Sequence, residues 1–177
     1  MTKQYFQDTV SEPMLANQAA ITAITITTLY PTAQFTAIPA WDLRPGKIYI
    51  VKAGGTLTTG ISGTLTITPR WGAALTVMGA SQAQTTTVSL TTQPWYLEYY
   101  VVCRTVGAAG ANSTVIGTGH FHCAGTVATA GGGWTQTFGG TSTAADNSLS
   151  TNAIDISVTF SIAPSMVVEY VFMQTPN

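Results

Sequence analysis

Charge is what this chain lacks. Asp, Glu, Lys and Arg make up 7% of its 177 residues, and none occurs between Thr105 and Ala145. Histidine and cysteine occur only twice each. Acid–base catalysis and metal binding draw mainly on carboxylates, imidazoles and thiolates, so few groups are on hand to build such a centre. No Gly-x-Ser-x-Gly elbow is present to hold a nucleophilic serine. Six basic residues spread along the chain make no patch for phosphate neutralisation, which argues against a nucleic-acid partner. Long apolar runs are missing too. Nothing approaches the roughly 20 residues a membrane helix needs, because Thr, Ser or Gly interrupts every few positions. The opening MTKQYFQDTV has no apolar signal-peptide core, which predicts a chain made in a cytoplasm, or assembled there into something later released. The expectation is a non-enzymatic protein with no catalytic residues and no cofactor.

Small hydroxyl residues stand where charges are missing, and such a surface suits packing against copies of itself or a larger assembly. With 45% hydrophobic residues the chain is far from disordered composition, and its length suits one domain. Period-two alternation dominates. Ile154, Ile156, Val158, Phe160 and Ile162 alternate with Asp155, Ser157, Thr159 and Ser161, which predicts a strand with one buried and one wet face. Each of those apolar side chains is worth roughly 1.5–3 kcal/mol when fully buried. Leu97, Tyr99, Val101 and Cys103 alternate with Tyr96, Glu98, Tyr100 and Val102; Val115 to Cys123 repeats the pattern, with His120 and His122 on the polar side. Further strands are expected at 21–27, 34–38, 48–53, 64–68, 75–79, 85–90 and 167–173, separated by Gly-, Pro- and Asn-rich turns. Many short strands at this spacing predict an all-β antiparallel sandwich or barrel over residues 21–177. Residues 1–20 read as an N-terminal arm. Ser11–Ala20 is its one helical candidate, and Tyr5, Phe6, Met14 and Leu15 are its candidate interface residues.

Cys103 and Cys123 fall on successive strands. A turn centred near Gly110 pairs Cys103 with Gly117 and Cys123 with Leu97, leaving the cysteines about 20 Å apart. A disulfide wants Cα atoms within about 7 Å, so both are read as reduced, half-buried thiols.

His120-Phe121-His122 is the constellation closest to a site. Side chains two apart on a strand share a face, so both imidazoles can meet one Zn or Ni ion. Two ligands fall short of the three or four a tetrahedral site takes, and the plainer reading is two solvated or interfacial imidazoles. Asp146 and Asp155 are a carboxylate pair that could approach for glycoside hydrolysis, but Asp155 reads more simply as a solvated or hydrogen-bonded surface group. Gly131–Gly133 has no following Lys and is a loop, not a phosphate cradle. Trp41, Trp71, Trp95 and Trp134 sit beside turns, and Tyr96 and Tyr100 share an outward face. Such aromatics cover a neighbouring sheet more often than they bind a sugar or a second subunit.

An ordered series of motifs carries a resemblance. It runs from Ala37-Ile38-Pro39-Ala40 through Leu43-Arg44-Pro45-Gly46-Lys47 and a strand ending Ala53-Gly54-Gly55. Arg70-Trp71-Gly72 follows, then Pro94-Trp95-Tyr96-Leu97-Glu98 and Arg104-Thr105-Val106-Gly107, and finally Ser161-Ile162-Ala163-Pro164-Ser165. Over residues 28–177 this order resembles a family of small structural proteins of tailed bacteriophages. The resemblance implies a jelly-roll-type β-sandwich on the virion, often a capsid decoration or cement protein and sometimes a tail or fibre component. The expected partner is then the major capsid protein, bound by a symmetric homo-oligomer, with a trimer favoured. A receptor- or glycan-binding module at a tail or fibre tip is the alternative. A secreted fimbrial subunit is disfavoured by the opening residues.

Overall fold

The computed structural model describes residues 7–9, 17–30, 37–86, 90–124 and 133–176, and none of these is helical. The described strands are β1 (Gln7–Thr9), β2 (Thr27–Thr28), β3 (Ile48–Thr59), β4 (Gly63–Trp71), β5 (Thr76–Val77) and β6 (Gln84–Thr86). They continue with β7 (Leu90–Thr105), β8 (Asn112–Cys123), β9 (Trp134–Asp146), β10 (Ile154–Phe160) and β11 (Ser165–Pro176). Two antiparallel sheets result. The larger has the order β1-β11-β3-β7-β8-β9; the smaller has β2-β10-β4-β5, with β6 also on β4.

One antiparallel ribbon runs through both layers. β3 continues across Gly60–Ser62 as β4, and β10 returns across 161–164 as β11, so β3 pairs with β11 and β4 with β10. This wrapping is the jelly-roll element of the fold. β7, β8 and β9 stay in the larger sheet as a meander. Alternation fills the space between the layers. Tyr49, Val51, Leu57, Leu97, Tyr99, Val101 and Phe121 from one sheet meet Leu65, Ile67, Trp71, Ile156 and Val158 from the other, all essentially inaccessible. Aromatic contacts knit the meander from beneath: Trp95 on Phe121 (5.5 Å), Phe121 on Trp134 (5.3 Å) and Tyr99 on Phe138 (5.5 Å).

Several expectations need correction. The strand expected at 21–27 is reduced to a bridge at Ile21 and the two residues of β2. The strand expected at 75–79 shrinks to two residues, whereas β3 and β4 run well past their expected ends. β9 falls where the sequence pattern predicts no strand: Gly139-Gly140 and a run of Thr and Ser leave no apolar alternation to mark it. The β7–β8 register differs by two residues: Cys103 lies opposite Val115 and Cys123 opposite Trp95. Irregular pairing between Cys103 and Thr105 and a connection at 106–111, centred before Gly110, account for the difference. The two thiols are then eight residues apart along the ladder, roughly 27 Å, and both are buried, not half-buried. Burial pushes the Cys103 thiol up. Asn17–Ala20 are not helical; residues 11–16, the rest of the helical candidate, lie outside the described residues. Parts of the arm lie along its own domain: β1 pairs with the end of β11, and Gln18 N–H donates to Val168 O at 2.9 Å.

The wet face expected of β10 is also covered. Asp155 is 4% exposed and Ser157 1%. Thr28, held beside β10 by β2, donates its hydroxyl to the Asp155 carboxylate, while Ser157 donates to Thr68 O at 3.1 Å. Burial raises the Asp155 pKa, opposed by the Thr28 hydrogen bond and the charge of Arg70. A raised native pKa means the protonated form is preferred on folding. The associated stability is complete below the ordinary carboxylate pKa and is lost as pH rises through the native value. Asp155→Asn keeps an acceptor for Thr28 without the buried charge. It is expected to raise the Tm at neutral pH, with the variant and parent converging in acid. Thermal melts across that range check this, and a variant less stable at neutral pH would show that Arg70 and Thr28 outweigh burial.

Candidate functional site

The outward face of the larger sheet gathers Tyr96, Tyr100, Tyr170 and Phe172. Strand pairing lines up three rows across β11, β3, β7, β8 and β9. They read Tyr170–Gly54–Tyr96–His122–Thr135, Phe172–Lys52–Glu98–His120–Thr137, and Gln174–Ile50–Tyr100–Thr118–Gly139. Ile48, Val102 and Ile116 extend the face toward one end as a half-buried aliphatic row. Tyr96 and Tyr170 are 46% and 41% exposed, high for residues of this size inside long strands.

Two local devices shape this surface. The first is an irregularity in β11, where the register shifts between Val168 and Tyr170. Met166 and Val168 point inward, and unbroken alternation would bury Tyr170 and Phe172 as well. The extra residue, Glu169, switches the phase, so that Val171 and Met173 enter the core and the two aromatics face out. The second is Gly54. A Cβ there would stand 2.4 Å from the Tyr170 hydroxyl oxygen, so the ring lies across the bare backbone. Tyr170 and Tyr96 belong to the strands on either side of that glycine, their backbones two strand spacings or roughly 9.5 Å apart, with the Tyr170 ring reaching over Gly54.

Polar groups stand among the rings. Lys52 Nζ lies 3.0 Å from Glu98 Oε1 at the centre of the second row. The Lys52 hydrogen bond holds the Glu98 carboxyl below the usual range, helped by a hydrogen bond from Tyr100 and by nearby His120. The same pair raises the Lys52 pKa. As an exposed ion pair it adds little stability; its effect is to cancel both charges where a partner would otherwise have to desolvate them. His122 Nδ1 is 3.0 Å from Thr135 Oγ1, and the Tyr96 ring contacts both imidazoles, at 5.8 Å to His120 and 5.1 Å to His122.

His120 and His122 thus share one face, as expected, together with Tyr96, Glu98 and Tyr100. Among the described residues no group of three or more His, Cys, Asp or Glu is placed to hold a metal. Tyr5, Phe6, Met14 and Leu15 lie outside the described residues. Trp71, Trp95 and Trp134 are core residues. Trp41 is 57% exposed and takes a left-handed φ of 64°. Buried Asn147 clamps that loop: its carbonyl accepts from Trp41 N–H at 2.6 Å, its side-chain oxygen from Leu43 N–H at 3.0 Å. Tyr170, Phe172 and Gly54 were not singled out from sequence; the Glu-Tyr-Val-Phe order after Val168 held the signal, legible only once the bulge is known.

No family model and no curated protein matches the chain. Among solved structures, it is similar to the CBM2 module of the evolved Dit of Lactobacillus casei BL23 phage J-1. That likeness has a TM-score of 0.35 and 9% identity and covers 98% of each chain. A score of that size does not establish a common fold, and the sandwich assignment rests on the strand pairing itself.

Proposed function

We propose that this chain is a non-enzymatic virion protein of a tailed bacteriophage, a capsid decoration protein that docks on the major capsid protein through the outward face of its larger sheet. The carrying observation is that face: Tyr96, Tyr100, Tyr170 and Phe172 set among half-buried Ile48, Ile50, Val102 and Ile116, with the Lys52–Glu98 ion pair internally neutralised. Aromatic enrichment with few unpaired charges is the composition of an interface core. The ordered motifs shared with phage structural proteins supply the context. Such a protein acts by mass action, since contacts made only in the mature lattice stabilise that lattice. A symmetric oligomer multiplies weak contacts into firm attachment.

A glycan-binding module on a tail or fibre is the second reading. It is favoured by the two exposed tyrosines on the strands flanking Gly54, with Lys52, Glu98 and the two histidines as hydrogen-bonding groups. Co-sedimentation separates the two. The purified chain is expected to saturate capsid shells that lack it and to leave host cell walls bare. Saturable binding to cell walls without binding to shells would replace the first reading with the second.

A further inference from the structure

Among the described residues, the larger sheet has one edge covered by short segments and one without a paired strand. At the covered edge β1 pairs with β11, Gln18 donates to Val168 O, and Ile21 bridges to Met166. At the other, β9 is hydrogen-bonded to β8 from Asn112–Asp146 to Cys123–Trp134, and no described strand pairs with its outer side. Proteins that keep a long edge strand solitary place Lys, Pro or inward charges on it. β9 is thirteen residues long and carries neither a charge nor a proline from Trp134 to Ala145.

We propose that this edge pairs with itself: β9 of one copy adds antiparallel to β9 of a second, joining two six-stranded sheets into one. The opposite edge of this sheet ends in β1, whose three residues are too short to accept a thirteen-residue strand head-to-tail, which favours an isologous contact. In a two-fold strand pair β9 meets only β9, and any charge near the axis would face its own sign. The absence of charge removes that penalty, and pairing centred on Gly140 sets the exposed Thr137 of one copy opposite the exposed Thr143 of the other, a favourable cross-strand Thr pair.

A second feature points the same way. Hollows of about 440 and 180 Å³ run along β9, between it and the segment Ala80–Gln84. Gln136, 5% exposed, borders the smaller one. Its amide nitrogen donates to Leu65 O and Gln82 O, both at 2.9 Å, while its Oε1 is buried without a donor. An incoming chain at this edge brings donors to that acceptor. The pairing is two-fold, and in that it differs from the trimer expected on sequence grounds.

Light scattering on the size-fractionated full chain, over a range of concentrations, tests the assignment. The native chain is expected to form a dimer. Pairing centred on Gly140 sets Thr137 beside Thr143 of the second copy, so T137K/T143K places lysine against lysine, and self-association is expected to fall about tenfold or more. T137K/T143E sets lysine against glutamate and is expected to keep the dimer. Both pairs sit at exposed positions, and matched melting temperatures confirm folding. A native chain that stays monomeric, a trimer, or a dimer indifferent to the paired lysines would each overturn the proposal.

Discussion

Replacing Tyr96 and Tyr170 together by alanine is expected to weaken attachment to capsid shells about a hundredfold or more, with the fold left intact. Buried aromatic anchors at interfaces typically cost 2 kcal/mol or more each when truncated, and two such losses reach about a hundredfold to a thousandfold. Both rings stand on the outward face and contribute nothing to the core between the sheets, so the urea midpoint should barely move. The matched control is K52A/E98A. It removes the central ion pair from the same rows, and because an exposed pair is worth about 0–1 kcal/mol its effect should stay within about fivefold. Titrated co-sedimentation measures both. A folded double-tyrosine variant that binds shells like the parent would remove this face from the docking surface and leave the sequence resemblance without a structural counterpart.

Much of this face was legible in the sequence, and the gaps have physical causes. Alternation along β7 and β8 placed Tyr96, Glu98, Tyr100, His120 and His122 outward, because strand period is a local property that one segment carries alone. The β7–β8 register was not local: the connection from Val106 to Ala111 and the irregular step near Thr105 decide it, and counting from one glycine missed both. Tyr170 and Phe172 depend on the phase switch at Glu169, which the hydrophobic pattern of β11 hides by keeping apolar residues on both sides of it. Gly54 looks like half of a turn signal beside Gly55. Its actual neighbour is a ring from a strand more than a hundred residues away. The covered face of β10 was missed for the same reason, since its alternation is real but Thr28 and Tyr30 come from the far end of the chain to close over Asp155. Long-range contacts rewrote what short-range pattern allowed.

Adjacent residues of β8 make the division between core and surface measurable. Phe121 is fully buried, stacked on Trp95 and packed on Trp134. Phe121→Ala leaves a cavity under the meander that two indoles, each fixed in its own strand, cannot close, so a loss of about 3–5 kcal/mol is expected. Domains of this size are commonly stable by about 5–15 kcal/mol, so the variant should unfold at a much lower urea concentration. His122→Ala, one position along, loses a half-exposed contact to Tyr96 and a hydrogen bond to Thr135. Its cost should stay within about 0.5 kcal/mol. Lattice binding should order the pair the other way: weakened by His122→Ala with the fold unchanged, and retained by Phe121→Ala wherever that variant is still folded. Equal stability losses at the two positions would mean that β8 does not divide the molecule into a packed side and a contacting side, and the assignment of faces would have to be redrawn.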